Sequence, residues 1–480
     1  MKVARRWPGR MTCALLGCLS FMLLASHAFA SPAAGQGGGV EGHAQATGLL
    51  RVVLGLAGAL GLAAVAAHPL VRRVERRLGI TVIISSGLPF LALGVLFRLP
   101  SINVLGDVVL RDLRPALEFG LGWLGFVVGT HFDVRELDAL PNKTSSVVVA
   151  ESLLPILSVT AVTMVVLLAF DPNWAFADVH SVKDVALLFA RVSLRDALAL
   201  GACAAPAAPI AAVAIALGAG SRGASLVARI TTLNDISGIF VVALLCAFYR
   251  PTDATAAWHL PHVAWLFVTL GLGGILGILT YLLLRGAEGP SQEIALLIGS
   301  TALSAGMSGY LGISPLVTCA LAGALLTNLP FDGIHRVKNL MREVERPLYL
   351  IFLLIAGALW DPFSWQGWIL APAFLVARLA GKMLGSYVST RVGPKELPDA
   401  TTLALALSPQ SPISIATIVG YVTLYQATSD RAMLSWLMTA CVGSAVFTEV
   451  SVQIISRLRG GITFETRPIS VRPAKHTEGA

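Results

Sequence analysis

The sequence predicts an all-α polytopic membrane protein of about 13 transmembrane helices, arranged as inverted-topology repeats with two crossed, broken helices. Three observations predict it. First, 55% of the 480 residues are hydrophobic and only 13% are charged, with mean hydropathy +0.76, where a soluble chain carries about 25% charged residues. So little polar surface cannot cover so much apolar surface in water. Second, apolar runs of about 20 residues, each long enough to cross a bilayer, recur along the chain. Third, two proline-broken segments of matching spacing occupy matching places in the two halves.

The chain opens with a basic start (Lys2, Arg5, Arg6, Arg10), an apolar stretch from Met11 to Leu24 and the small-x-small run Ala28-Phe29-Ala30. Residues 1–30 therefore read as a signal peptide. Residues 31–47 read as a polar extracytoplasmic N-terminus, 48–458 as the transmembrane domain, and 459–480 as a cytoplasmic tail. An uncleaved extra helix is the other reading of the first segment, and both put Ser31 outside. The spans lie near 48–69, 79–98, 113–132, 144–170, 184–217, 226–249, 258–284, 291–310, 313–329, 346–360, 367–391, 400–425 and 431–457.

With the N-terminus outside, loops after odd-numbered spans face the cytoplasm. Those loops hold the basic clusters: Arg72, Arg73, Arg76 and Arg77; Arg135 and Lys143; Arg336, Lys338, Arg342 and Arg346; Arg391 and Lys395. The tail adds Arg457, Arg459, Arg467, Arg472 and Lys475, while the opposite loops are sparser apart from Arg98, Arg111 and Arg114. The bias gives N-out, C-in. It also accounts for the formal charge of +8, so no nucleic-acid partner is implied. Of the 6 cysteines, Cys13 and Cys18 lie in the N-terminal apolar stretch. Cys203, Cys246, Cys319 and Cys441 sit inside predicted helices without metal-type spacing, as small buried hydrophobes.

The fifth span reads Ala205-Pro206-Ala207-Ala208-Pro209-Ile210 and the twelfth Ser408-Pro409-Gln410-Ser411-Pro412-Ile413. Both are P-x-x-P-I, followed five residues later by Ile215 and Ile418. Proline removes a backbone hydrogen bond and clashes with the preceding turn. The two are seven places apart in span order, an odd offset, so the segments run in opposite directions across the membrane. Broken helices of an inverted repeat cross near the midplane, where freed carbonyls and half-helix ends can bind ions.

Ionisable groups inside the bilayer are functional candidates by default. Asp235 lies within Thr231-Thr232-Leu233-Asn234-Asp235 of the sixth span, directly after the first broken helix. A lone carboxylate there can hold a proton on one side of the membrane and exchange it for a cation. Arg378 and Lys382 share a face of the eleventh span, one turn apart, directly before the second break. Lys382 reads as the switchable counter-charge and Arg378 as the fixed one, with snorkelling to the interface as the competing reading of Arg378. Glu118 reads as interfacial, Glu151 and Glu449 carry no assigned role, and Arg191, Arg195 and Asp196 read as a wet or paired cluster at the entrance to the fifth span. Arg229 reads as a marker of the cytoplasmic interface.

These stretches resemble the monovalent cation:proton antiporter superfamily, of the bacterial sodium/proton or potassium/proton exchanger type. The resemblance rests on Ser86-Gly87-Leu88-Pro89-Phe90 with Leu93-Gly94, on Gly125-Phe126-Val127-Val128-Gly129 through Phe132-Asp133, on the broken helix followed by Asn234-Asp235, and on Gly381-Lys382-Met383-Leu384-Gly385. It implies a secondary active antiporter of the inner membrane, working by alternating access as a homodimer, with a monovalent cation (Na+ or K+) and a proton as partners and no cofactor. Asp235 then matches the carboxylate that binds proton and cation in turn. Asn234 matches the residue that is Asp in the electrogenic branch and Asn in the electroneutral one, and Lys382 matches the lysine that pairs with that first acid. Asn234 together with a retained lysine mixes the two branches; one titrating carboxylate favours electroneutral exchange.

The chain also departs from the family pattern. Ala207-Ala208-Pro209 stands where relatives often have Thr-Asp-Pro. Cation ligands must then come from Asp235, Asn234, Thr231 or Thr232, Ser408, Gln410, backbone carbonyls and water. The departure keeps two alternatives open: a transport-inactive sensor of the same fold, and an organic-anion carrier using Arg378 and Lys382. The run Gly271-Leu272-Gly273-Gly274-Ile275-Leu276-Gly277 follows no strand and reads as helix packing, not nucleotide binding. His259 and His262, beside Trp258 and Trp265, read as an interfacial belt. No P-loop, G-x-S-x-G or H-E-x-x-H pattern occurs, so no enzyme is expected.

Overall fold

The structure is a computed structural model, and it describes residues 88–99, 105–138, 140–170, 194–209, 212, 215, 221–249, 261–287, 289–330, 333–426 and 431–458. The expected signal peptide, first span, its arginine loop, Arg191, His259 and the tail from residue 459 lie outside the described residues. The helices are α1 (Leu88–Arg98), α2 (Asp107–Asp112), α3 (Arg114–Gly129), α4 (Val134–Asp138), α5 (Thr144–Phe170), α6 (Leu194–Ala202), α7 (Ser221–Phe248), α8 (His262–Arg285), α9 (Pro290–Tyr310), α10 (Pro315–Asn328), α11 (Ile334–Leu359), α12 (Trp365–Val392), α13 (Ala400–Ala406), α14 (Pro412–Tyr425) and α15 (Arg431–Leu458). Among the described residues, five stretches are long and apolar enough to cross a membrane: α5, Gly223–Phe248 of α7, α8, α12 and Arg431–Thr448 of α15.

The apolar runs fold as helices because a chain in lipid must pair its own backbone groups. Proline in the first turn starts α3, α9, α10 and α14, where its missing N–H costs nothing. Asp399 caps α13 by accepting from the Thr402 amide at 3.1 Å. Helix α11 begins at Ile334, twelve residues before the predicted apolar span. Its first half is amphipathic and basic, so the helix continues beyond the hydrophobic run.

Without a hydrophobic drive between helices in lipid, close approach depends on small residues. Gly94 of α1 and Gly357 of α11 interlock: a Cβ on either would overlap a carbonyl of the other helix, Leu354 and Leu91 respectively. On α12, a Cβ at Gly381 would meet Pro155 of α5 at 2.5 Å. The glycine run of α8 packs on α10, with Gly273 against Leu321 and Gly277 against Ala322. The four described cysteines are free and buried.

Both predicted breaks are present. Helix α6 stops at Ala202 and the chain turns through residues 203–205 before Pro206; α13 stops at Ala406, and the backbone is extended at Ser411 before α14. The two breaks meet in an isolated antiparallel bridge at Ala207 and Gln410, where the Ala208 amide donates to the Pro409 carbonyl at 2.9 Å. The broken helices cross and are joined by backbone pairing at the crossing.

Candidate functional site

Each break leaves carbonyls with no helical partner. Arg378 collects them. It is 0% exposed, and its guanidinium donates to Ala204 (3.1 Å) and Pro206 (2.8 Å) of the first break, and to Ser408 and Pro409 (3.5 Å) of the second. Five fixed donors on one planar group match several carbonyls converging from two chains. The cation also sits at the C-terminal ends of α6 and α13, where the helix dipoles are negative. The snorkelling reading of Arg378 is corrected: the carbonyl cluster holds the side chain inside.

Lys382, one turn further along α12, is also 0% exposed. Its ammonium donates to the Ala205 carbonyl of the first break and to the Glu151 carbonyl of α5, both at 2.9 Å. Gly381 and Gly385 make this possible, because α5 lies too close for any larger residue.

Asp235 reaches the crossing from α7. Gly238, one turn later, leaves room for Pro206, which a Cβ there would approach to 3.0 Å. The carboxylate is buried, 7% exposed, and its Oδ1 has no hydrogen-bond partner. Ser411, at the start of α14, is its neighbour, and Lys382 acts on it electrostatically. Beside it, Asn234 Oδ1 accepts from Ser152 Oγ of α5 at 3.0 Å, while its Nδ2 is unpartnered.

The other anticipated ligands divide. Thr231 and Thr232 donate back to their own helix, to the carbonyls of Ala228 (2.7 Å) and Arg229 (2.8 Å). Their oxygens keep acceptor capacity. Ser408 Oγ donates to Leu405, and its carbonyl is taken by Arg378. Gln410 turns away: Nε2 donates to Cys441 Sγ (3.1 Å) and Oε1 accepts from Ser444 (2.9 Å), both on α15. Pro206, Pro209, Pro409 and Pro412 make the breaks, and Ser411 caps α14 through the Ile413 amide at 3.3 Å.

Sequence reading left Glu151 without a role, and the structure brings it to the site. It is 0% exposed; Oε1 accepts from Ser386 at 2.7 Å and Oε2 has no hydrogen-bond partner. The signal was an acid followed by Ser152 inside an apolar helix. Ser414, also unflagged, ties α14 to the Cys203 carbonyl at 2.9 Å. At the other end of the broken helices, the half-buried Arg195 pairs with the buried Asp196 at 3.0 Å. Tyr421 of α14 donates to Asp196, Arg195 lies 4.8 Å over the Tyr425 ring, and Tyr425 donates to the Tyr249 carbonyl after α7 at 2.6 Å. Glu118 pairs with Arg114 at 2.9 Å.

A buried carboxylate beside two crossed, unwound helices, faced by buried cations, defines a membrane transport protein of the inverted-repeat class. The sodium/hydrogen exchanger transmembrane family model matches residues 76–457, and the chain belongs to that family. It is a multi-pass membrane protein whose class of activity is cation:proton antiport. The fold is similar to that of the sodium proton antiporter MjNhaP1 from Methanocaldococcus jannaschii, solved at pH 8, with TM-score 0.56 and 15% identity over 86% of this chain and 98% of that one. An electron-microscopy structure of the same antiporter gives TM-score 0.52 and 16% identity over 86% and 99%. No curated protein sequence matches significantly.

Proposed function

We propose that the protein exchanges a proton for a monovalent cation, Na+ or K+, across the inner membrane by alternating access, with Asp235 binding the two in turn. The observation that carries this reading is the buried Asp235 oxygen left without a partner beside the crossing. A carboxylate so placed is costly to leave charged and bare. Either a proton or a dehydrated cation relieves it, and one excludes the other. The hard oxygen donors suited to the cation are Asp235, Ser411, Asn234 and Thr231. Arg378 holds the break carbonyls in place and leaves Asp235 to the transported ion.

The N-terminus outside, the C-terminus inside and a homodimer with one scaffolding and one moving bundle complete the proposal. The organic-anion alternative is disfavoured, because Arg378 is committed to backbone carbonyls and Lys382 keeps only one of its three N–H donors. The test is purified protein in liposomes with a trapped pH dye. Adding Na+ or K+ should dissipate a preset proton gradient, and Asp235→Asn should abolish the response while the protein stays folded. Competition sets the pH dependence: protons occupy Asp235 as pH falls, so the apparent KM for the cation should rise with acidity. Exchange by Asp235→Asn at the wild-type rate would end this proposal.

A further inference from the structure

The buried carboxylate of Glu151, whose backbone carbonyl Lys382 bonds, has no part in that scheme. We infer that Glu151 is the second acid of the site, a positioning residue that receives the Lys382 ammonium whenever a cation occupies Asp235. This rests on reading Asp235 as the ion carrier.

An ammonium has three N–H donors. Two of those on Lys382 go to the carbonyls of Ala205 and Glu151, leaving one to turn towards a carboxylate. The Lys382 ammonium bonds the backbone of Glu151 itself, and the charges of Glu151 and Asp235 both act on it, so the acids of α5 and α7 share one lysine of α12. Position 234 offers no charge, being asparagine with its oxygen taken by Ser152. Glu151 is held ready for the lysine: Ser386 fixes one oxygen, and the other is buried without a partner, 3.1 Å from where a Cβ on Gly385 would stand.

The physical need is charge balance. Lys382 is a tethered monovalent cation that competes with the transported one for Asp235. When that ion takes Asp235, a buried ammonium without an anion would cost several kcal/mol. Glu151 supplies the anion, so the competitor can step aside without leaving the bilayer interior. As the cation enters, Asp235 gives up one proton; Lys382 and Glu151 keep their protonation states. Exchange remains one for one even with the lysine retained.

The test compares full-length wild type with Glu151→Gln and Glu151→Asp in proteoliposomes, using Na+ and K+ in turn. It measures KM, maximal rate, and the cation and proton gradients at which net flux vanishes. Glu151→Gln should raise the cation KM about tenfold, equivalent to ~1.4 kcal/mol, with the maximal rate within about threefold and Glu151→Asp restoring most of the affinity. The zero-flux point should stay at one proton per cation in both proteins. An unchanged KM overturns the inference. So does a wild-type zero-flux point of two protons per cation that drops to one in Glu151→Gln, which would make Glu151 a second proton carrier. If wild type moves neither ion, the exchange reading itself fails, and thermal unfolding decides the pairing. Glu151→Gln should then lose more stability than Glu151→Gln combined with Lys382→Gln; additive losses would overturn the pair.

Discussion

The two breaks are alike in backbone and unlike in side chains. Each leaves carbonyls that Arg378 gathers, and each contributes one residue to the antiparallel pairing at Ala207 and Gln410. The first break offers only backbone atoms, because Ala207 and Ala208 carry no polar side chain. Its carbonyls are held by Arg378 and Lys382 of α12 and by Ser414 of α14 at Cys203. The second is fastened sideways through Gln410 to Cys441 and Ser444 of α15. With the Gln410 amide facing α15, Ser411 is the side-chain oxygen that the second break sets beside Asp235.

The most severe way to break this comparison is Arg378→Met, which removes the group both breaks share. It strands carbonyls from two chains at once and should cost about 3–5 kcal/mol, the range for removing one side of a buried charged network. Purified yield and melting temperature measure it, and retention of wild-type stability would mean that the crossing does not depend on Arg378. Gln410→Leu touches the second break alone. It removes the Ser444–Gln410 and Gln410–Cys441 bonds and should cost about 1–3 kcal/mol, read as a lower melting temperature with the first break intact.

The smallest expected effect is Asp399→Ala, which uncaps α13 just ahead of the second break and should cost ~1 kcal/mol. Hydrogen bonds from Thr401 and Thr402 hold the Asp399 carboxyl at about 2, below its ordinary value. The folded state thus favours the charged form, and its contribution is complete above the unfolded value of about 3.9. The stability gap between wild type and Asp399→Ala should be flat from pH 7 to about 5, then shrink as pH falls towards 2. A gap that grows with acidity would contradict the cap.

What the sequence made legible follows from the range of each interaction. Single prolines leave α5 and α12 continuous at Pro155 and Pro372, but the paired P-x-x-P spacing marked both breaks, and the count of spans gave their opposite sense. Asp235 stood out because a carboxylate in an apolar run has few reasons to be there. Glu151 met the same criterion, yet its meaning lies in Lys382 and Ser386, 231 and 235 residues away. The direction of Gln410 was equally hidden, since only the packing of α15 decides it. For Arg378 the sequence left an interfacial escape open beside an inward placement, and the carbonyls that keep it inside come from segments more than 170 residues earlier as well as from the next helix.

The tyrosines at the far end of α14 have a mechanical meaning. A rod pinned at one point can pivot, and a rod pinned at two cannot. Helix α14 is pinned at Ser414, near the crossing, and again where Tyr421 meets Asp196 of α6, about 10 Å further along at 1.5 Å per residue. Tyr425 extends the second pin to the end of α7. Helices α6 and α14 are locked in angle as well as in place, with α7 tied to them at its end, so a tilt of α14 carries α6 with it as one lever.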